Sequence, residues 1–178
     1  MMQNIAQLMS IQIADEIMPG LWLGNVYASR DENWLNEKNI NVIFNCTKDL
    51  PCVSPSRIYY RVPVDDNLQQ DEIRNLQLWS FEVVYKIAQE YNSGKRVLVH
   101  CAAGMQRSAA CIAMFLISIT RCTAEQAITF IRTKRSIAFT PGANFFEAIK
   151  GFEGELRSRI GDSVSDPNSP WKKLPLPQ

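Results

Sequence analysis

The sequence is poor in the residues that would hold a metal ion. It contains a single histidine, and its five cysteines, Cys46, Cys52, Cys101, Cys111 and Cys122, are scattered with none of the close pairs of a zinc site. No metal and no cofactor is therefore expected. The odd, dispersed set also makes a poor disulfide framework, which favours a reducing, cytoplasmic setting. Neither sign of charge is in excess. A net charge of +1 supplies no overall field to hold nucleic acid or an anionic membrane, so neither is expected as a partner. The longest strongly apolar run, residues 109–119, falls short of the roughly 20 residues that cross a bilayer. Position 2 is Met rather than Gly, no basic and then apolar stretch opens the chain, and it closes on Leu176-Pro177-Gln178. Neither a secretory signal nor a lipid anchor is expected.

What is present is 178 residues of ordinary globular composition, enough for one domain with a genuine core. No internal repeat is visible, and three zones divide the chain. In residues 1–17, Ile5, Leu8 and Met9 recur at helical spacing among Gln3, Asn4 and Gln7. Two readings of this helical arm stay open: a helix packed on its own domain, or one that docks on a second copy. Residues 161–178 hold four prolines and little that packs, and read as a loose tail.

Residues 18–160 alternate strands and helices. Residues 21–25, 41–45, 58–62 and 96–100 are strand candidates, rich in β-branched and aromatic side chains. Asp71 is placed to cap a helix whose Ile73, Leu76, Val83, Val84 and Ile87 share a face, ending near Asn92-Ser93-Gly94. Residues 108–119 form a helix apolar on nearly every side, hence central and buried. Thr123 and Gln126 match a capping box, and Asn144 with Glu147 resembles a second one opening the last helix. The alternation predicts one α/β domain.

Between the buried strand and the buried helix lies His100-Cys101-Ala102-Ala103-Gly104-Met105-Gln106-Arg107-Ser108. A tight loop there can turn its backbone N–H groups inward as an anion-binding nest. The helix that follows adds its positive N-terminal end. Gly104 permits the backbone angles such a loop needs, and Arg107 offers a planar fork for two phosphate oxygens. Fields that favour an anion also favour a thiolate, so the pKa of Cys101 should fall and its sulfur become the nucleophile toward phosphorus. Ser108 is placed to donate to that sulfur. His100 is expected to orient backbone groups rather than transfer protons.

The run from Arg96 to Ser108 resembles the signature of the dual-specificity protein phosphatases, within the protein tyrosine phosphatase superfamily. The resemblance continues through Leu21-Trp22-Leu23-Gly24-Asn25 and Val62-Pro63-Val64-Asp65-Asp66 to Thr140-Pro141, over roughly residues 18–155. It implies a protein tyrosine phosphatase-like α/β fold, a central mostly parallel or mixed sheet of about five strands flanked by helices. It also implies metal-independent hydrolysis of phosphotyrosine and phosphoserine or phosphothreonine in proteins, through a phosphocysteine. Cys101, Arg107, Asp66 and Ser108 would be catalytic, with Asp66 rather than Asp65 as the acid that protonates the leaving group. Ala102, Ala103, Gly104, Met105, Gln106 and Arg107 would bind the substrate. Arg135 falls where some of these phosphatases place an arginine beside the pocket to meet a second phosphate; the other reading of it is an exposed charge.

One departure concerns the last helix. The family often has Asn directly after the proline, bracing the phosphate loop; here Gly142 follows Pro141, and Asn144 comes two positions later. Related branches act on other esters. Phosphoinositide phosphatases usually carry lysines inside the loop, and RNA 5′-phosphatases a basic surface, whereas Ala102, Ala103, Met105 and Gln106 are neutral. Gln106 also differs from the glycine of glucan phosphatases. Non-catalytic phosphoprotein-binding relatives generally lose the nucleophile or the acid, and both are kept here. The compact chain is further reminiscent of small phosphatases of large DNA viruses, some of which dimerise through an N-terminal helix; that likeness implies a homodimer through residues 1–17 and extends the setting to the nucleus or a virion. Cys46, at the end of a neighbouring strand, is the first choice for a protective disulfide with Cys101 under oxidation.

Overall fold

The computed structural model describes residues 12–160. Ile5, Leu8 and Met9 of the arm, and the proline-rich residues 161–178, lie outside that range. Five strands form one sheet: β1 (Ala14–Met18), β2 (Leu21–Gly24), β3 (Ile40–Asn45), β4 (Ile58–Arg61) and β5 (Arg96–His100). Their order is β1-β2-β5-β3-β4. β1 runs antiparallel to β2, and every other neighbouring pair is parallel. Among the described residues five α-helices accompany them, besides a 3-10 turn at Ala28–Arg30: α1 (Glu32–Glu37), α2 (Gln70–Asn92), α3 (Arg107–Thr120), α4 (Ala124–Lys134) and α5 (Phe146–Ile160).

Side chains alternate across the sheet with the period of two that a pleated strand imposes. Leu21 and Leu23, Val42 and Phe44, Val97 and Val99 face the larger core, which is closed by α2, α3, α4 and α5. Ile43 and Leu98 point to the other face, where Leu35 of α1, Ala28 and the partly buried Trp22 and Trp34 cover them. Trp22 and Trp34 meet edge to face, with ring centroids 5.3 Å apart. A strand buried on both sides reads as a continuous apolar run, and β5 does so because it is central. From Ser108 to Ile119 every residue of α3 is buried, as its composition required.

Several boundaries agree with the sequence, and the departures have local causes. α2 stops where Gly94, at φ +82°, turns the chain away. Thr123 caps α4 by accepting from the Gln126 N–H, and the Gln126 side chain answers to the Thr123 N–H. Asp71, however, is not a cap. α2 begins at Gln70, and Asp71 and Glu72 sit inside the first turn, where carboxylates favour the positive helix end. Residues 14–17, assigned to the arm, belong to β1 instead, so the domain starts earlier than the composition suggested. Asp15 and Glu16 interrupt the apolar pattern there. Both are engaged: Glu16 accepts from the Gly20 N–H at 2.7 Å, and Asp15 pairs with Arg135.

The topology decides where chemistry can happen. Because β2, β3, β4 and β5 are parallel, their carboxyl ends open onto one edge of the sheet, the usual ligand side of such folds. Asn25, Cys46, the segment from Val62 to Asp66 and Cys101 all follow directly on those ends. Phe115 fastens this arrangement from within α3, fully buried and edge to face with Tyr91 at 5.8 Å. Phe115→Ala is expected to cost about 3–5 kcal/mol of unfolding free energy, the range for a buried aromatic. Urea denaturation followed by tryptophan fluorescence measures it.

Candidate active site

β5 delivers Cys101 to the base of a loop, and α3 leaves from its far end at Arg107. Four successive carbonyls in between are drawn away from the loop's centre. Ala102 O accepts from the Val26 N–H at 3.1 Å, and Met105 O from the Phe139 N–H at 2.9 Å. Ala103 O and Gly104 O accept from Arg135, through Nη2 at 3.3 Å and Nε at 2.9 Å. Peptide units held by their oxygens from outside present their N–H groups to the inside. Such a concave set is an anion site, and the first turn of α3 reinforces it.

Gly104 makes that geometry possible. Its φ is +67°, and a Cβ there would lie 2.4 Å from Gly24 O. The loop therefore presses backbone to backbone against the end of β2. Gly24 is confined less severely, since a Cβ on it would come within 2.9 Å of Leu98 Cδ1, a side-chain end.

Cys101 is 2% exposed. Its sulfur accepts from the Ser108 hydroxyl at 3.2 Å and from the Gly104 N–H at 3.3 Å. Burial opposes charge on the thiol. The hydroxyl and N–H of Ser108, the positive Arg107 and the Met105 N–H outweigh it and hold the pKa below its ordinary value. His100 is also buried, and burial pushes its imidazole down to about 4. It is neutral at physiological pH, with Nδ1 3.2 Å from Cys101 O; a ring nitrogen facing a carbonyl must carry the proton. The expected role in orienting backbone fits this placement.

Arg107 Nη1 donates to Val64 O at 3.0 Å, which ties the arginine to the segment carrying the two aspartates. Those aspartates have different surroundings. Asp65 is engaged on the loop side: its carboxylate meets Lys48 at 3.0 Å, and its N–H donates to Glu72 at 2.9 Å. The Asp65 N–H and then Lys48, itself hydrogen-bonded to Glu72, keep the Glu72 carboxyl below its usual range. Asp65 thus shapes the loop. Asp66 is exposed, and its Oδ1 accepts from Asn144 Nδ2 at 2.8 Å. Of the two, it is Asp66 that is free of lysine and linked to the loop after Pro141.

One expected substrate contact is corrected. Arg135 is neither beside the pocket nor an exposed charge. It is 2% exposed, and besides its bonds to Ala103 O and Gly104 O it donates to Gln12 O at 3.0 Å and Asp15 Oδ2 at 2.6 Å. Its guanidinium is spent on holding the phosphate loop from behind. Gln106 keeps its backbone N–H in the loop, while its side chain is engaged with the segment after Phe139. At 5% exposure, Nε2 donates to Gly142 O at 2.8 Å and Thr140 O at 3.3 Å, and Oε1 accepts from the Asn144 N–H at 3.0 Å. Ala102 and Ala103 are exposed, and Met105 is half-buried.

Asn144 also differs from its expected part. Its side chain does not cap α5 but reaches Asp66, and the bracing usually assigned to an asparagine after the proline comes from Gln106. The thiol of Cys46 meets Cys111, with the sulfurs 3.7 Å apart. That hydrogen bond, then burial, raises the Cys46 pKa well above its ordinary value. Among the described residues no group of three or more His, Cys, Asp or Glu is arranged to hold a metal ion.

Comparison with known proteins agrees with this geometry. Residues 21–155 match the family described as dual specificity phosphatase, catalytic domain. The chain is 29% identical over 160 residues to human dual specificity protein phosphatase 4, covering 89% of this chain and 39% of that protein. With human dual specificity protein phosphatase 1 it shares 30% over 142 residues, covering 79% and 37%. It thus spans about two fifths of the length of the curated relatives it matches. The crystal structure of human DUSP28 aligns with a TM-score of 0.73 at 22% identity, covering 82% of this chain and 96% of that one. The shared shape is the expected five-stranded mixed sheet flanked by helices.

Two measurements test the cradle. Gly104→Ala should abolish binding of inorganic phosphate in calorimetry, because the new Cβ cannot coexist with Gly24 O; an unchanged affinity would contradict the packing described. Ser108→Ala removes a donor to the Cys101 sulfur, so the thiol pKa should rise. The pH at which iodoacetate alkylates Cys101 at half its maximal rate would then move upward.

Proposed function

The chain belongs to the dual specificity phosphatase catalytic-domain family, and from that membership and the site we propose that it hydrolyses phosphate monoesters on tyrosine, serine and threonine side chains of proteins. The observation that carries the reading is the loop with four carbonyls turned outward around a buried, doubly hydrogen-bonded Cys101 sulfur. Phosphate enters with its oxygens on the loop N–H groups and the Arg107 fork. The Cys101 thiolate attacks phosphorus, forming an S–P bond as the ester P–O bond breaks, and the Asp66 carboxyl gives its proton to the departing oxygen. A water then attacks the phosphocysteine while the Asp66 carboxylate takes its proton. The S–P bond breaks with its electron pair returning to sulfur, and the Ser108 hydroxyl donates a hydrogen bond to the restored Cys101 thiolate.

Side chains at the pocket refine the substrate. Ala102 and Ala103 put no cation beside the phosphate, and Arg107 is the loop's one basic residue. One phosphate is met, not several, which favours phosphoproteins over phosphoinositides. A reducing compartment suits a thiolate nucleophile.

Turnover of an aryl phosphate is the direct test. Activity is expected in the presence of chelators and is expected to vanish with Cys101→Ser or after thiol alkylation. Retained turnover in Cys101→Ser would sink the mechanism, as would a wild-type protein that binds phosphate yet leaves the ester intact.

A further inference from the structure

The segment from Thr140 to Asn144 is joined to the phosphate loop and to the acid at once. Gln106, a loop residue, makes three hydrogen bonds to it: Nε2 to Thr140 O and Gly142 O, and Oε1 from the Asn144 N–H. Asn144 then donates from Nδ2 to Asp66 Oδ1 at 2.8 Å. Seventy-eight positions separate those two residues in sequence. A continuous chain of short contacts therefore runs from the phosphate loop through Gln106 and Asn144 to the carboxyl of Asp66.

We propose that Asn144 is a positioning residue for the acid, fixing which oxygen of Asp66 carries the proton and where that oxygen sits relative to the loop. The proposal rests on the phosphatase reading of the site. Its chemical basis is the nature of an amide nitrogen, which donates and does not accept. The carboxyl oxygen facing Nδ2 must therefore be an acceptor. In the protonated acid that oxygen, Oδ1, is the carbonyl oxygen, and the proton is confined to Oδ2. During the first step the Oδ2 proton moves to the ester oxygen as the P–O bond breaks. The carboxylate left behind keeps its bond to Asn144, now charge-assisted and stronger. In the second step the proton from water returns to the same Oδ2.

Without Asn144, Asp66 is an exposed side chain with a broad, nearly two-fold χ2. Its proton is then shared between two oxygens that sweep different positions. A positioned acid is worth about 10²–10⁴-fold, and a misplaced one forfeits part of that. The cost falls on esters that need protonation to leave. Esters with an acidic leaving group barely notice, and phosphate binding is untouched because the loop N–H groups and Arg107 remain.

The experiment compares wild type, Asp66→Ala, Asn144→Ala and the double variant on phenyl phosphate and p-nitrophenyl phosphate, with circular dichroism and inorganic-phosphate inhibition as checks on the fold and the loop. For Asn144→Ala, kcat/KM on phenyl phosphate, which reports formation of the phosphocysteine, should fall about 10-fold, and on p-nitrophenyl phosphate by about twofold or less, with inhibition by inorganic phosphate unchanged. In the Asp66→Ala background the second substitution should have no further effect, since a residue acting only through Asp66 has nothing left to act on. Equal losses of kcat/KM on both esters, weakened inhibition by inorganic phosphate, or additive losses in the double variant would overturn the proposal. A wild-type protein inactive on both esters would instead overturn the phosphatase reading on which it stands.

Discussion

Four peptide carbonyls, from Ala102 to Met105, must all point outward for the loop between β5 and α3 to bind an anion, and none of their partners lies in the loop. Each arrives from a distant part of the chain: Val26 after β2, Arg135 at the end of α4, and Phe139 beyond it. Arg135 matters most because it takes two of the four. Its own position depends on Asp15 in β1 and on Gln12 O. A buried guanidinium is tolerated when its donors are satisfied, and here two loop carbonyls supply part of that satisfaction. The edge strand β1 thus contributes to the site although it touches no substrate.

The parallel sheet explains why these pieces meet. β5 lies between β2 and β3, so the loop at its carboxyl end is flanked by the ends of both neighbours. β2 brings Gly24 against Gly104. β3 ends at Asn45, and the Cys46 N–H that follows donates to His100 O at 2.8 Å. β4 carries the chain through Val64, whose carbonyl meets Arg107, to Asp66. Much of the site's stiffness is therefore borrowed from strand ends, and the segment carrying Asp66 is held largely by the side chains of Arg107, Asn75, Glu72 and Asn144.

What could be read from the sequence was what is local. The phosphate loop is contiguous, its glycine and arginine have fixed offsets from Cys101, and β5 and α3 announce themselves by composition. The capping box at Thr123 spans four residues and was equally legible. The residues misread are those whose partners are remote. Arg135 looks like one charge in a basic run, because nothing nearby reveals that Asp15 and two loop carbonyls await it. Asn144 has the spacing of a cap, yet its side chain donates to the remote carboxyl of Asp66. Gln106 counts as a neutral loop side chain until its amide is seen to span three backbone groups. β1 was hidden for a related reason: the two acids that break its apolar pattern serve Gly20 and Arg135.

The close approach of Gly104 to Gly24 means that backbone, not side chains, sets the form of the cradle. Ala102 and Ala103 lie exposed at its rim, and their carbonyls alone are used to shape it. Anion capture and partner choice are thereby separable in this architecture. If the proposed phosphatase activity holds, longer or charged groups at those two positions would retune which ester is accepted without rebuilding the loop beneath, so the rim is free to diversify while the floor stays constant.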